Sequence, residues 1–534
     1  MDTRLAIDIG VLLLYFIAII FIGLRMGRKE DNLEDFALGG RRIPWWAVLA
    51  SLVAAETSAG TFFGTPGEGF THRDYTYLQL AFGTIIGRII VSYVFIKPYY
   101  DYKVFSIYEY LTARFGVASK NAASAVFMIT RLLASGTRLY VAAIALALAY
   151  EMISGARPNE TQTLWIYLGA TIAIVILTTI YTTFGGIKAV IWTDVIQASI
   201  MIGSALIALG LLYFSIPGGW DEIVQRRGGF HISDLIASGL DPARSGWDKW
   251  KGMFETEYTI FAGLIGAVFI TMGTHGTDQD MVQRMLTAKD IRRSRRSLIL
   301  SGLADIPLAF TFVSIGLLLW VYYQAHPDPT LPKSPNEIFC HYILYQMPVG
   351  LRGLLLAGIF ATAMGSLSTA LNALATSFTR DWYEPYINPA ATDAQSLRAV
   401  RWATVWFSVL MIVVASTTAY LVIVHPNVRI IPIVLSIFGY TYGSLLGVFF
   451  AGMLTRTRGN DRGNILAMIS GFVVVAILSG LPNKIGGILG TKFYTQPAWL
   501  PEMEFPWWIF FGTIVTFFVA ILFRSRPHTV PDGV

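Results

Sequence analysis

The stretch PWWAVLASLVAAETSAGTFFGTPGEGF, residues 44–70, decides how the chain is read. It is long and apolar enough for a membrane helix, because a bilayer core takes about 20 apolar residues. Trp45 and Trp46 suit a membrane interface. Its middle does not suit a plain spanning helix. Glu56, Thr57, Ser58, Gly60 and Thr61 fall near the midpoint, and Gly64, Pro66 and Gly67 follow. Gly and Pro weaken a helix there, and a carboxylate facing lipid is costly. Irregular backbone at membrane depth persists only against protein or a water-filled cavity. One reading is a discontinuous helix whose freed carbonyls bind a cation. The other is a kinked helix with Glu56 as a buried structural partner.

Composition points the same way. The chain has 534 residues, of which 54% are hydrophobic and 14% charged, and its mean hydropathy is +0.56. A soluble domain carries about a quarter charged residues. A soluble enzyme, a disordered scaffold and a nucleic-acid binder are therefore disfavoured. Apolar runs long enough to span number about 13. They centre on 5–25, 45–68, 76–97, 121–150, 163–184, 189–215, 256–275, 297–323, 348–379, 400–424, 430–454, 464–482 and 506–523. The first run contains Asp8 and lacks a small-residue cleavage site, so it reads as a retained helix. The net charge of +6 reads as a Lys/Arg excess in cytoplasmic loops. Those loops hold Arg25, Arg28, Lys29, Arg41 and Arg42; Arg284, Lys289, Arg292, Arg293, Arg295 and Arg296; Arg456, Arg458 and Arg462; and Arg524 and Arg526. The N-terminus is then outside and the C-terminus inside, with outer loops at 216–255, 324–347 and 483–505. The single cysteine, Cys340, excludes an intramolecular disulfide.

Three further segments carry candidate chemistry. The run GIFATAMGSLSTALNALATSFTRDWYEP, residues 358–385, puts Thr362, Ser366, Thr369 and Thr376 on one helical face, flanked by Ser368 and Asn372. Sodium is a hard cation that takes oxygen ligands, so this stripe can be half of a sodium cage. It serves equally as a close-packing face between helices. Asp194, in AVIWTDVIQ (189–197), is either a first-turn helix stabiliser or an ion-site carboxylate. Arg131 and Arg138 share a face of one run, Arg88 lies in another, and Asp305 precedes Pro307 in a third. Ion pairing among these groups is one account; direct contact with a polar or anionic solute is the other.

In their order and spacing these segments resemble the sodium/solute symporter family over roughly residues 5–455. The likeness is carried by ASLVAAETSAGTFFGTPGEGF (50–70), TTFGGIKAVIWTDVIQ (182–197) with Gly185 and Gly186, THGTDQDMVQRMLTAKD (274–290) and LNALATSFTRDWY (371–383). The resemblance implies an all-α polytopic membrane protein of about 13 spans. Two inverted five-helix repeats, 44–215 and 256–455, follow the helix and loop of 1–43. The outer loop 216–255 separates them, and two helices with a short tail, 456–534, come after. Inverted repeats place substrate and ion near the midplane beside discontinuous helices.

Carried over residue by residue, the family's main sodium site takes carbonyls of Ala54, Thr57 and Thr362 and the positions Gly365 and Ser366. Only Ser366 keeps a hydroxyl there. A second site takes Asp194, Ser368 and Thr369, so one sodium ion or two couple to transport. The solute pocket is expected beside the break, from Glu56, Ser58, Thr61, Arg138, Thr271, Thr274 and His275, closed by Tyr440 and Tyr442. Arg138 suits a carboxylate and Glu56 an amine, so a zwitterion would use both; a monocarboxylate, vitamin or sugar stays open. The implied activity is sodium-coupled import of a small polar organic solute by alternating access. The chain would work as a monomer in a bilayer, the bacterial inner membrane, with no nucleic-acid partner. A solute sensor on the same scaffold is the alternative. Enzyme activity is not expected, because the histidines at 72, 231, 275, 326, 341, 425 and 528 form no metal-binding spacing and no Walker motif is present.

Overall fold

A computed structural model describes residues 3–27, 32–154, 158–424, 430–483, 497 and 499–525. Arg28, Lys29, Arg526, His425, His528 and most of the 483–505 loop lie outside them. Every apolar run falls on helix. The helices used below are α1 Thr3–Met26, α2 Trp45–Glu56, α3 Ala59–His72, α4 Leu78–Val94, α5 Val117–Ser154, α6 Glu160–Phe214, α7 Val268–Gly276, α8 Gln279–Leu286 and α9 Ile291–Ala325. They continue with α10 Leu351–Phe378, α11 Asp393–Val424, α12 Ile430–Leu454, α13 Asp461–Leu478 and α14 Pro506–Leu522. The only β pairing among the described residues is two isolated bridges.

Nine helices among the described residues are long and apolar enough to cross a membrane, or up to ten with the bent α2–α3 pair. The expected runs outnumber these for a physical reason. Runs 163–184 and 189–215 both lie in α6, whose 55 residues would reach roughly 80 Å if straight, far beyond an apolar core of about 30 Å. Gly186 interrupts it with φ 50° and ψ −155°. A side chain there would meet the Phe36 carbonyl at 2.6 Å, so only glycine fits. The chain doubles back at this point. Tyr181, before the break, donates to the Met364 carbonyl (3.4 Å), and Gln197, beyond it, reaches Tyr15, whose hydroxyl meets Met364 Sδ. Two further runs are shorter apolar helices, Ala262–Gly276 and Pro506–Leu522.

The helix that starts at Trp45 breaks, but one step earlier than its glycines suggest. α2 stops at Glu56; Thr57 makes a tight non-helical turn and Ser58 is extended; α3 then leaves at 60°. Gly60, Gly64, Pro66 and Gly67 all lie inside α3. Pro66 and Gly67 serve packing: Gly316 of α9 sits against the Pro66 carbonyl, and a side chain on Gly67 would meet the Pro335 carbonyl at 3.0 Å. The polar triplet Glu56–Thr57–Ser58 makes the break itself. α1 is tied across to α10 by Asp8, which accepts from the Gly350 and Gly353 amides and pairs with Arg352 at 2.5 Å. That explains the acid noted in the first run.

Candidate functional site

The break frees two carbonyls. In a continuous helix the Ser58 amide would serve Ala54, and the Thr61 amide would serve Thr57. Here Ser58 N–H goes to the Glu56 carbonyl (3.0 Å) and Thr61 N–H to the Ser58 carbonyl (2.9 Å). Across from the break runs α10, which touches α3 where Gly358 faces Phe62. Its hydroxyls each donate to their own helix: Thr362 to Ile359, Ser366 to Ala363, Ser368 to Gly365 and Thr369 to Ser366, at 2.7–3.2 Å. A hydroxyl that donates inward keeps lone pairs for another partner, the orientation a cation requires.

Asp194 is no helix cap. It lies well past Gly186, completely buried, where α6 meets α2, α8 and α10. Its Oδ2 accepts from Ser51 Oγ at 2.5 Å, and Ser51 in turn accepts from Arg284 Nε at 2.9 Å. Arg284 Nε stands 3.8 Å from the same carboxylate oxygen.

Beside the break lies a cavity of about 240 Å³. Seven of the nine expected solute residues line it: Glu56, Ser58, Thr61, Arg138, Thr271, Thr274 and His275. The two tyrosines do not. Tyr442 is fully buried and donates to Asp278 at 2.5 Å, while Tyr440 packs on Trp508 with ring centres 4.9 Å apart. Positions two apart on a helix point about 200° from each other, so α12 turns Phe438 to the cavity and Tyr440 toward α14. Tyr77, Thr84, Arg131, Met281 and Phe505 also line the cavity and were missed. Of these, only Arg131 had a signal in the sequence, as a charge within an apolar run. A second space of about 170 Å³ shares Glu56, Thr61 and Tyr77 and adds Asp305.

Ion pairing accounts for most of the buried charges. Asp305 joins Arg88 at 2.6 Å, and Glu56 shares the same guanidinium nitrogen. His275 Nε2 stands 2.7 Å from Glu56 Oε1. Arg131 pairs with Asp278 and, at 3.0 Å, with Asp280, which also holds Arg284 at 2.6 Å. α8 is buried along its whole length, and its Gln283 binds Asn372 of α10 at 2.7 Å. An ionic and amide network thus lies on the α8 side of the cavity, with Arg131 and Met281 in the lining itself. Arg138 stands apart. It lies over the Phe438 ring at 5.2 Å, lines the cavity, and has no carboxylate within ion-pair distance among the described residues.

A sequence model described as the sodium:solute symporter family matches residues 36–471. The chain is 29% identical to a sodium/sialic acid symporter of Proteus mirabilis (strain HI4320), over 91% of both chains. It is 30% identical to a sodium/sialic acid symporter of Aliivibrio fischeri (strain ATCC 700601 / ES114), over 92% of both. To the human sodium-coupled monocarboxylate transporter 1 it is 28% identical, over 84% of this chain and 68% of the relative. A solved substrate-bound, outward-open structure of a Na⁺-coupled sialic acid symporter superposes with a TM-score of 0.78 at 25% identity, covering 97% of each chain.

Proposed function

Because the chain belongs to the sodium:solute symporter family, we propose that its cavity takes a carboxylate-bearing solute anchored on Arg138. The protein is an integral membrane symporter, not an enzyme, and it couples a small organic solute to sodium. The observation that carries the acid reading is the contrast between three buried arginines and the half-buried Arg138. Arg88, Arg131 and Arg284 each have carboxylate partners, whereas Arg138 faces the cavity with none among the described residues. Glu56 is already engaged by Arg88 and His275, which weakens its claim on a solute amine and leaves the acid as the favoured class. The relatives named above carry sialic acid or monocarboxylates, which are acids too.

For sodium, the residues present suit a main site of Ala54, Thr57 and Thr362 carbonyls with Ser366, with Gly365 contributing no side chain. Support comes from the two carbonyls released at the break. Asp194, Ser368 and Thr369 form the second site in this reading. Thirteen spans, inverted halves at 44–215 and 256–455, an outside N-terminus and an inner-membrane location belong to the same reading. Sodium favours the outward-open state, which then binds solute; the coupling is their shared preference for that state. One charge crossing 100 mV yields about 2.3 kcal/mol, and a tenfold sodium gradient about 1.4 kcal/mol. A carboxylate solute cancels the charge of one ion, so one ion supports only about tenfold accumulation, whereas two ions carry one net charge inward and support accumulation on the order of several thousandfold. The test is uptake with and without Na⁺ by wild type and Arg138→Gln, using a carboxylic acid and its neutral amide. Selective loss of the acid is expected; equal loss of both sinks the anchor.

A further inference from the structure

We propose that Gln197 is a sodium ligand of the second site, its side-chain carbonyl joining Asp194 in the space that the missing side chain of Gly365 leaves open. This rests on the second-site reading above and extends it to a residue that the family resemblance did not point to. Asp194 and Gln197 are three residues apart on α6 and so share a face. Their side chains are 0% and 1% exposed. Each has one end satisfied: Asp194 Oδ2 by Ser51, and Gln197 Nε2 by Tyr15 at 3.4 Å. Each has one buried oxygen with no partner, Asp194 Oδ1 and Gln197 Oε1.

The two free oxygens converge on the same spot of α10. A side chain added at Gly365 would lie 3.0 Å from Gln197 Oε1 and 3.5 Å from Asp194 Oδ1. Neither a carboxylate oxygen nor an amide oxygen can donate to the other. Two bare acceptors facing a bare glycine call for a cation or a donor between them, and hard oxygens of these types suit sodium. The nearest protein cation does not fill that role. Arg284 Nε approaches Asp194 from the Oδ2 side at 3.8 Å, through Ser51. An ion on Oδ1 would therefore leave the Ser51–Arg284 link in place. A hydroxyl at 365 and the Gln197 carbonyl compete for one volume, so the glycine and the glutamine read as a matched exchange.

The experiment is thermal unfolding of the full chain in detergent, titrated with NaCl against KCl at constant ionic strength. A ligand of the folded state raises apparent stability by mass action. Gln197→Leu is expected to raise the sodium midpoint about tenfold or more, the scale of lost metal-site support. Gln197→Glu, which keeps an oxygen, is expected not to weaken it. In Gln197→Ala, adding Gly365→Ser is expected to restore sodium sensitivity. A wild-type midpoint in Gln197→Leu together with a weakened one in Asp194→Asn overturns the ligand role and leaves the second site standing. Wild-type midpoints in both overturn the second site as well. If Gln197→Leu does not fold, a weakened midpoint in Gln197→Glu overturns the proposal, because the amide then acts only as a donor to Tyr15.

Discussion

One face of α5 presents the same side chain to two different surroundings. Arg131 meets Asp278 and Asp280, and Tyr442 adds a hydrogen bond to Asp278. Two turns along, Arg138 meets the Phe438 ring and open cavity. Arg131 is buried and Arg138 half-buried, and a guanidinium withdrawn from water is expensive unless a counter-charge is supplied. For Arg131 the supply is built in, from α8. For Arg138 no carboxylate among the described residues supplies it, and in the function proposed above the solute does. On this face of α5 the difference is whether the acids of the 278–280 turn reach the guanidinium.

The largest effect should come from breaking the built-in side. Arg131→Ala leaves Asp278 and Asp280 buried with reduced compensation, and breaking such a pair costs about 3–5 kcal/mol. Thermal unfolding in detergent should show a steep loss of stability. If it shows a change below about 1 kcal/mol, the network carries little, and the two arginines are more alike than the geometry says.

Arg138→Gln should behave in the opposite manner. Stability should change by less than about 1 kcal/mol, because no built-in pair is lost. Uptake of an acid should fall about 10- to 100-fold, the worth of a hydrogen bond to a charged group. Loss of stability with uptake per folded molecule unchanged would reverse the two roles.

Tyr442→Phe is a smaller probe of the same boundary. The hydroxyl donates to Asp278, which Arg131 still holds, so removal should cost about 1 kcal/mol. Solute affinity should not move, because Tyr442 lies outside the cavity lining. A large rise in KM with intact stability would put the ring back at the solute.

What was legible in the sequence follows the same division. Apolar runs fix where helices lie, and Glu56–Thr57–Ser58 marks the break because polar residues at mid-membrane need a local reason. The glycines after it misled, since a glycine that loosens a helix and one that lets two helices touch look identical in one chain. Pairing was not legible. Glu56, Arg88 and Asp305 come from three helices far apart in sequence, and nothing local says which acid meets which base. The Tyr440–Tyr442 error has a simple origin: both are aromatic, both near the expected pocket, and only the rotation of α12 decides. Gln197 was passed over because a lone glutamine in an apolar run carries no charge to draw notice. Only its free oxygen opposite Gly365 distinguishes it.

Outside the bilayer the contrast should shrink to its smallest value. Asp328, in the loop between α9 and the helix Pro335–Gln346, accepts from Thr330 and lies 2.9 Å from His341 Nε2. Partial burial alone would raise its carboxyl pKa, but the Thr330 and His341 contacts outweigh that and hold it down to about 2. The folded value is below the unfolded one, so the folded state binds fewer protons than the unfolded state in this range. Its contribution is therefore fully present above about pH 4, the unfolded range, and is lost as pH falls through about 2. Asp328→Asn should lower the unfolding temperature slightly at neutral pH, and the gap to wild type should close on acidification. A gap that is flat across that window would show that solvent, not the protein, sets the charge of this loop. The large effects would then be confined to the membrane-embedded arginines, where solvent cannot substitute for a partner.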